Sequence, residues 1–86
     1  MDGNELYRLC QETGQSVWLC TGYVVGAADA DIVLLGGKGL LCVRPTVTPQ
    51  QLKDIVIAYL TRHPETRDSP ASLLVDAALI IAFTCP

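Results

Sequence analysis

One stretch of the chain carries both a helix start and a helix stop, and it constrains the fold more than any other. Thr48 stands before Pro49, and Gln51 follows three residues after the threonine. This is the pattern of a capping box, with proline at the first helical position, where its missing N–H costs nothing. Pro64 ends the helix, because the residue before a proline is disfavoured in the α region. The sequence therefore predicts a helix that begins at Thr48 or Pro49 and ends at His63.

The apolar residues of this helix form one stripe. They recur at the i, i+3, i+4, i+7 and i+8 spacing of a helix that buries one side. The stripe consists of Leu52, Ile55, Val56, Tyr59 and Leu60. Because such a stripe must pack against other elements, we expect this helix to be part of a larger helical core.

Two further helices are predicted before it. Residues 2–12 form a short first helix, and Ser16 caps a second one that ends at the glycine pair Gly36–Gly37. The second helix carries Gly22 and Gly26 four residues apart. In a membrane this spacing favours helix dimerisation, whereas in a helical bundle it lets another backbone approach closely, and we expect the close packing.

The last helix is predicted to be apolar on all sides. Ser69 serves as its cap, Pro70 occupies its first position, and it runs to about Phe83, with Asp76 as the one polar residue after Ser72. A helix without a polar face is buried. We therefore expect it to be the central helix, or to form part of a dimer interface, with Asp76 meeting an arginine at the helix edge.

Length and charge limit the class of protein. The 86 residues are 50% hydrophobic and 17% charged, which is typical of a chain that forms a core. No useful strand alternation appears, so we predict an all-α fold, a small four-helix domain stapled by disulfides, over residues 1–86. The net charge of −3 argues against nucleic acid, because phosphate binding needs clustered Lys and Arg. A membrane span is not expected either, because no run of 18 apolar residues is free of charge.

The four cysteines predict disulfides and not a metal site. They lie at Cys10, Cys20, Cys42 and Cys85, without the close pairs typical of zinc ligands, and His63 is the one histidine. Three pairings are possible. Cys10 near the end of one predicted helix and Cys20 near the start of the next could close a helical hairpin, which leaves Cys42 with Cys85, and we favour this pairing. We expect no metal, no cofactor and no catalytic residue, since one histidine beside structural cysteines does not make a nucleophile and base.

Disulfides require an oxidising compartment. The first residues, from Met1, show no basic region followed by an apolar run, so no signal peptide is visible. We therefore expect a mature form from which an export signal has been removed, and the alternative is a cytoplasmic protein.

Several short motifs are spread along the chain. They are Cys20-Thr-Gly-Tyr-Val-Val-Gly26, Cys42-Val-Arg-Pro45, Val47-Thr-Pro-Gln-Gln-Leu52, His63-Pro-Glu65 and Phe83-Thr-Cys85. Taken together, they resemble the type VI secretion amidase-immunity (Tai) family. Two departures from the family pattern are Arg44 inside the Cys-to-Pro loop and Thr84 in place of a common proline.

The resemblance implies a binding role. Proteins of this family are periplasmic antitoxins that block the active-site cleft of a peptidoglycan amidase, usually as homodimers. It implies, for this chain, an amidase partner, a homodimer and a periplasmic location.

Two polar loops are candidates for the contact, Lys38–Thr46 and Arg62–Ser69. We favour the second, because it offers several charged side chains in eight residues. The expected partner-binding residues are Arg62, His63, Glu65, Arg67 and Asp68. The alternative is a periplasmic helical stress chaperone, or an orphan structural domain of the same fold.

Overall fold

The computed structural model describes every residue from Met1 to Pro86, and it consists of four α-helices without a β-strand. The predicted all-α, four-helix fold is therefore confirmed. A short 3-10 turn, Pro64–Thr66, connects the third helix to the fourth. The helices are α1 (Gly3–Gln11), α2 (Gln15–Gly37), α3 (Pro49–Arg62) and α4 (Ala71–Ala82).

The two ends of α3 lie where the sequence places them. The backbone N–H of Gln51 donates to the Thr48 hydroxyl at 3.1 Å, and the Gln51 side-chain oxygen accepts from the Thr48 N–H at 2.7 Å. At the other end the N–H of His63 donates to the carbonyl of Tyr59 at 3.1 Å. The predicted capping box is confirmed, as is the helix stop before Pro64.

The starts of α2 and α4 differ from the prediction. Gly14, with a φ of 75°, precedes α2, and no side chain caps that helix. Ser16 was expected to be the cap, but its hydroxyl donates to the Glu12 carboxylate at 2.7 Å, within the helical hairpin. In α4 the cap position is taken by Pro70, and the helix begins at Ala71, one residue later than predicted.

All four helices share one hydrophobic core of 15 buried residues. The predicted stripe of α3 supplies three of its members, while Ile55 and Tyr59 are half-buried against the core. The largest side chains that are fully enclosed are Leu6, Val24, Val56, Leu60, Val75 and Leu79.

Two disulfides tie the chain at separate places. Cys10–Cys20 joins the end of α1 to α2, and Cys42–Cys85 joins the loop after α2 to the C-terminus. This is the pairing that the sequence led us to favour. The backbone N–H of Cys42 also donates to the Phe83 carbonyl at 2.9 Å, so the loop is held to the end of α4 by a hydrogen bond as well.

One side of α2 packs into the core, and the other side is open. Its buried residues are Cys20, Val24, Ala28 and Asp31. By length and composition α2 is the one helix that could cross a membrane, although Asp29 and Asp31 interrupt its apolar run. Core helices of soluble proteins and signal sequences share these properties, and α2 packs one face against the other three helices.

The expected close packing at the two glycines of α2 is wrong. A Cβ atom at Gly22 or at Gly26 would meet no atom within 4 Å, because both glycines lie on the open side of the helix. The expectation for α4 holds only in part. Its buried face contains Leu74, Val75 and Leu79, but Leu73 and Ile81 lie exposed on its other side.

Candidate functional site

A groove of about 450 Å³ lies between α3 and α4, at the end of α3 that leads into the 3-10 turn. Its walls are mostly apolar because both helices present small or apolar side chains there. Three polar side chains, Asp54, Arg62 and His63, border it. The apolar lining consists of Ile55, Ala58, Tyr59, Ala78, Ile81 and Ala82.

His63 is held in place at the edge of this groove by two neighbours. Its ring lies 4.3 Å from the ring of Tyr59, one turn earlier on α3. Its Nδ1 lies 3.1 Å from a carboxylate oxygen of Glu65. The pKa of Glu65 is lowered, first by a hydrogen bond from the backbone N–H of Glu65 to its own carboxylate and then by the contact with His63. The groove edge therefore carries the guanidinium of Arg62, an imidazole and an ionised carboxylate within four residues.

The connection between α3 and α4 is ordered by backbone hydrogen bonds. Within it, the N–H of Thr66 donates to the His63 carbonyl and that of Ser69 to the Thr66 carbonyl, at 3.2 and 2.9 Å. From outside, the N–H groups of Gly3 and Asn4 at the start of α1 donate to carbonyls of the same connection, at 3.0 and 2.7 Å. A segment that is fixed before binding loses less conformational entropy when it docks.

Arg67 has a structural position that the sequence did not indicate. Its guanidinium lies over the ring of Tyr7 in α1, 4.5 Å from the centroid, which is a cation–π contact. Its Nε is buried and has no hydrogen-bond partner. Arg67 therefore holds the connection between α3 and α4 against α1, and its side chain is not free to project toward a partner.

The other four expected contact residues are accessible. Arg62, Glu65 and Asp68 are exposed, and His63 is half-buried. Arg62 and His63 border the groove, while Glu65 is joined to it through His63.

The second candidate loop, Lys38–Thr46, contributes no residue to the groove lining. Arg44 sits with its guanidinium 5.8 Å from the ring centroid of Phe83, and Leu40 is half-exposed. The loop is anchored through the bridge of Cys42 and contributes an apolar side chain and a cation to the surface. It offers fewer polar groups than the connection after α3.

The structure also contains a carboxylate pair that the sequence analysis missed. Asp31 of α2 is only 8% exposed, and one of its carboxylate oxygens has no hydrogen-bond partner. Burial raises its pKa from 3.8 to about 7, with a further contribution from the hydrogen bond and charge of Asp76 on α4. The expectation that Asp76 meets an arginine is therefore wrong. Asp31 follows Val24 and Ala28 at helical spacing, and this was the signal that placed it on the buried face.

None of the cysteines supplies a thiolate, because all four are in disulfides. No group of three or more His, Cys, Asp or Glu side chains is placed to hold a metal ion. The groove is an apolar cleft with a charged edge, a surface suited to binding.

Comparison with known proteins supplies the family. A search of curated proteins gave no significant match. The family model of the Rap1a immunity proteins matches residues 2–85, which is nearly the whole chain and includes α1 to α4 and both disulfides. On that match, the chain belongs to the family of Rap1a immunity proteins.

Proposed function

We propose that this protein is a periplasmic antitoxin that binds a cognate peptidoglycan amidase of a type VI secretion system and blocks its active site, acting as a homodimer. Family membership makes the chain an immunity protein against a secreted effector, and proteins of this kind are generally non-catalytic. The amidase target extends that statement, and the resemblance of the cysteine and helix motifs to the Tai family supports it.

The observation that carries the proposal is the rigid charged edge beside the groove between α3 and α4. Blocking an enzyme cleft requires a group that projects and keeps its geometry, since flexibility lost on binding weakens the complex. His63 is held by Tyr59 and Glu65, and the connection is fastened to α1. Arg62 stands beside it with an exposed guanidinium, a side chain that often dominates the binding energy of protein interfaces.

The disulfides support the proposed compartment. Both bridges are formed, and such bridges persist outside the reducing cytosol. They are consistent with an extracellular or periplasmic location. Peptidoglycan lies in the periplasm of a Gram-negative cell, so an amidase antitoxin acts there.

Reversing the charge of Arg62 tests which surface binds. We expect Arg62→Glu to weaken the complex with the type VI peptidoglycan amidase of the source organism by about 10- to 100-fold, because an interfacial cation is replaced by a repelling carboxylate. Binding is measured by isothermal titration of the purified, oxidised proteins. Arg44→Glu is the matched control in the rival loop, and we expect it to change affinity by less than about threefold.

Circular dichroism and thermal unfolding establish that both variants fold. The proposed surface is wrong if Arg44→Glu abolishes binding and Arg62→Glu does not, because the loop after α2 would then carry the contact. The amidase assignment itself is wrong if the wild-type protein does not bind the type VI peptidoglycan amidase of the source organism.

The stress-chaperone alternative is less well supported. Such chaperones act when acid opens or dissociates them. Here the raised pKa of Asp31 means that the folded state binds a proton more tightly than the unfolded state, so acidification between pH 7 and 4 strengthens the contact between α2 and α4. This carboxylate pair opposes acid-induced opening.

A further inference from the structure

α2 carries five of the nine large hydrophobic side chains that are exposed on this protein. Trp18 is 76% exposed, Leu19 61%, Val33 74% and Leu34 63%. Single exposed apolar side chains are normal in soluble proteins, whereas a continuous patch indicates an interaction site. Between the large residues lie Gly22, Gly26 and Ala30, also exposed, so the patch is a low strip with bulky side chains at each end.

Residue size along this strip is symmetric about Gly26. Three pairs of exposed residues match in size at equal distances before and after Gly26, while Ile32, 41% exposed, has the buried Cys20 as its counterpart. The pairs are Trp18 with Leu34, Leu19 with Val33, and Gly22 with Ala30.

We propose that this strip is the interface of the homodimer, in which α2 of a second copy packs antiparallel across α2, with the two-fold axis at Gly26. This inference rests on the homodimer of the proposed function, and names its surface. In an isologous interface the same patch is used twice and must be complementary to itself. An antiparallel pair about Gly26 places the bulky end of one strip against the bulky end of the other, and small residues against small ones.

The two central glycines permit the approach. Neither Gly22 nor Gly26 has a neighbour within 4 Å of its Cβ direction, so a second backbone has room there. The absence of a side chain lets two helices come close. The glycine pair therefore allows close contact between α2 of one copy and α2 of a second copy. It makes no such contact within a single chain.

The exposed apolar area of the strip is just large enough for a specific dimer interface. The four large side chains expose on the order of 500 Å² per copy, and two copies together therefore bury on the order of 1,000 Å², which is where specific interfaces begin. Polar residues at the edge of the strip can add a hydrogen bond between the copies. Asp29 and Tyr23 are also equidistant from Gly26, so the two-fold axis sets a phenolic hydroxyl of one copy opposite a carboxylate of the other.

Charge favours a second copy over a lipid surface. Helices that lie on membranes carry Lys and Arg on their polar side, which attract anionic lipid. α2 contains no basic residue, and its other side is packed in the protein core. Arg8 of α1 is the cation that borders the strip, beside Trp18 and Leu19, and its charge is paired with Glu12. The strip therefore has the matched ends that a two-fold partner requires, without the row of cations that a membrane requires.

Sedimentation velocity and the fluorescence of Trp18, the only tryptophan, test the interface. We expect the oxidised protein to sediment as a dimer at micromolar concentrations, and its emission to shift to longer wavelength on dilution as Trp18 returns to water. Gly26→Leu places two bulky side chains on the two-fold axis, and we expect it to raise the dissociation constant about 100-fold. Because the position is open in the monomer, Gly26→Leu should not lower the thermal stability of the monomer.

Ser72→Leu is the matched control, since it adds the same side chain at an exposed position of α4. We expect it to leave the dimer unchanged. The inference is overturned if the wild-type protein is a monomer up to 100 μM, or if Gly26→Leu remains as dimeric as the wild type, in which case another face, such as that of Leu73 and Ile81, joins the copies. A dimer that binds no amidase overturns the amidase proposal alone, and a monomer that inhibits an amidase overturns this interface alone.

Discussion

At the scale of single residues, the least ordinary feature is a carboxylate buried without a cation. Asp31 lies in the core, and the neighbouring charge comes from Asp76, a second carboxylate. Like charges at one site favour the state in which one of them keeps its proton. The pair is therefore held together best when one proton is shared between α2 and α4.

The sign of the pH dependence follows from the raised pKa. The folded-state pKa of Asp31 is about 7 and its unfolded value is 3.8, so the stabilisation is complete below about pH 4 and is lost as pH rises to about 7.

We predict that Asp31→Asn raises the free energy of unfolding at pH 8 by roughly 1 to 3 kcal/mol, because a neutral amide replaces a buried charge and donates to Asp76. Urea unfolding of the oxidised protein at pH 4.5 and pH 8 measures it. Asp68→Asn, at an exposed position, is the control and should follow the wild type. A wild-type stability that rises from pH 4.5 to pH 8, or an Asp31→Asn variant with an unchanged pH profile, would contradict this account.

Residue chemistry also explains for which of the expected contact residues the exposure was predictable. Arg62 and His63 were expected to be accessible because they end a capped helix before a proline, and they are. The contact of Arg67 with Tyr7 was not predictable, because it is made between residues 60 positions apart and no local pattern encodes it. The Asp31–Asp76 contact was missed for the same reason.

At the scale of helices, local signals set some boundaries and tertiary packing sets others. Both ends of α3 were predictable because a capping box and a proline act within a few residues. The start of α2 was not, because Ser16 binds Glu12 and the chain reverses at Gly14 instead. Large apolar residues lie on both the buried and the open side of α2, so their pattern did not show that residues such as Trp18 and Val33 form an open strip.

We predict that Thr48→Ala lowers the free energy of unfolding by about 1 kcal/mol, because the N–H of Gln51 loses its side-chain acceptor. Thr48→Ser retains a hydroxyl and should lose only a few tenths of that amount. Chemical denaturation of the three proteins in parallel measures the difference. Equal losses for Ala and Ser would show that the cap hydrogen bond does not stabilise α3.

At the scale of the whole molecule, the disulfides compensate for small size. A chain of 86 residues buries only about 60 to 65% of the surface that its unfolded form exposes, and the core alone gives limited stability. The bridges constrain the unfolded chain over 10 and 43 residues. In the loop-entropy model they contribute roughly 3 and roughly 4 kcal/mol, against a typical total of 5 to 15 kcal/mol.

We predict that replacing Cys42 and Cys85 together by serine lowers the midpoint of thermal unfolding more than replacing Cys10 and Cys20 does, because the longer bridge restricts the unfolded chain more. The loss also frees the loop after α2 from the end of α4. Calorimetry of the two double variants measures it. The reverse order would mean that the helical hairpin closed by the shorter bridge dominates stability.

The central claim is that this immunity protein blocks a cell-wall amidase, and titration of enzyme activity tests it most directly. Purified, oxidised protein is added to the type VI peptidoglycan amidase of the source organism, and peptide release from isolated peptidoglycan is followed. We predict that activity falls linearly and reaches its minimum at one protein chain per enzyme, and that Arg62→Glu requires an excess. Full amidase activity at a severalfold excess of the wild-type protein would contradict the claim, and the effector would then belong to another enzyme class.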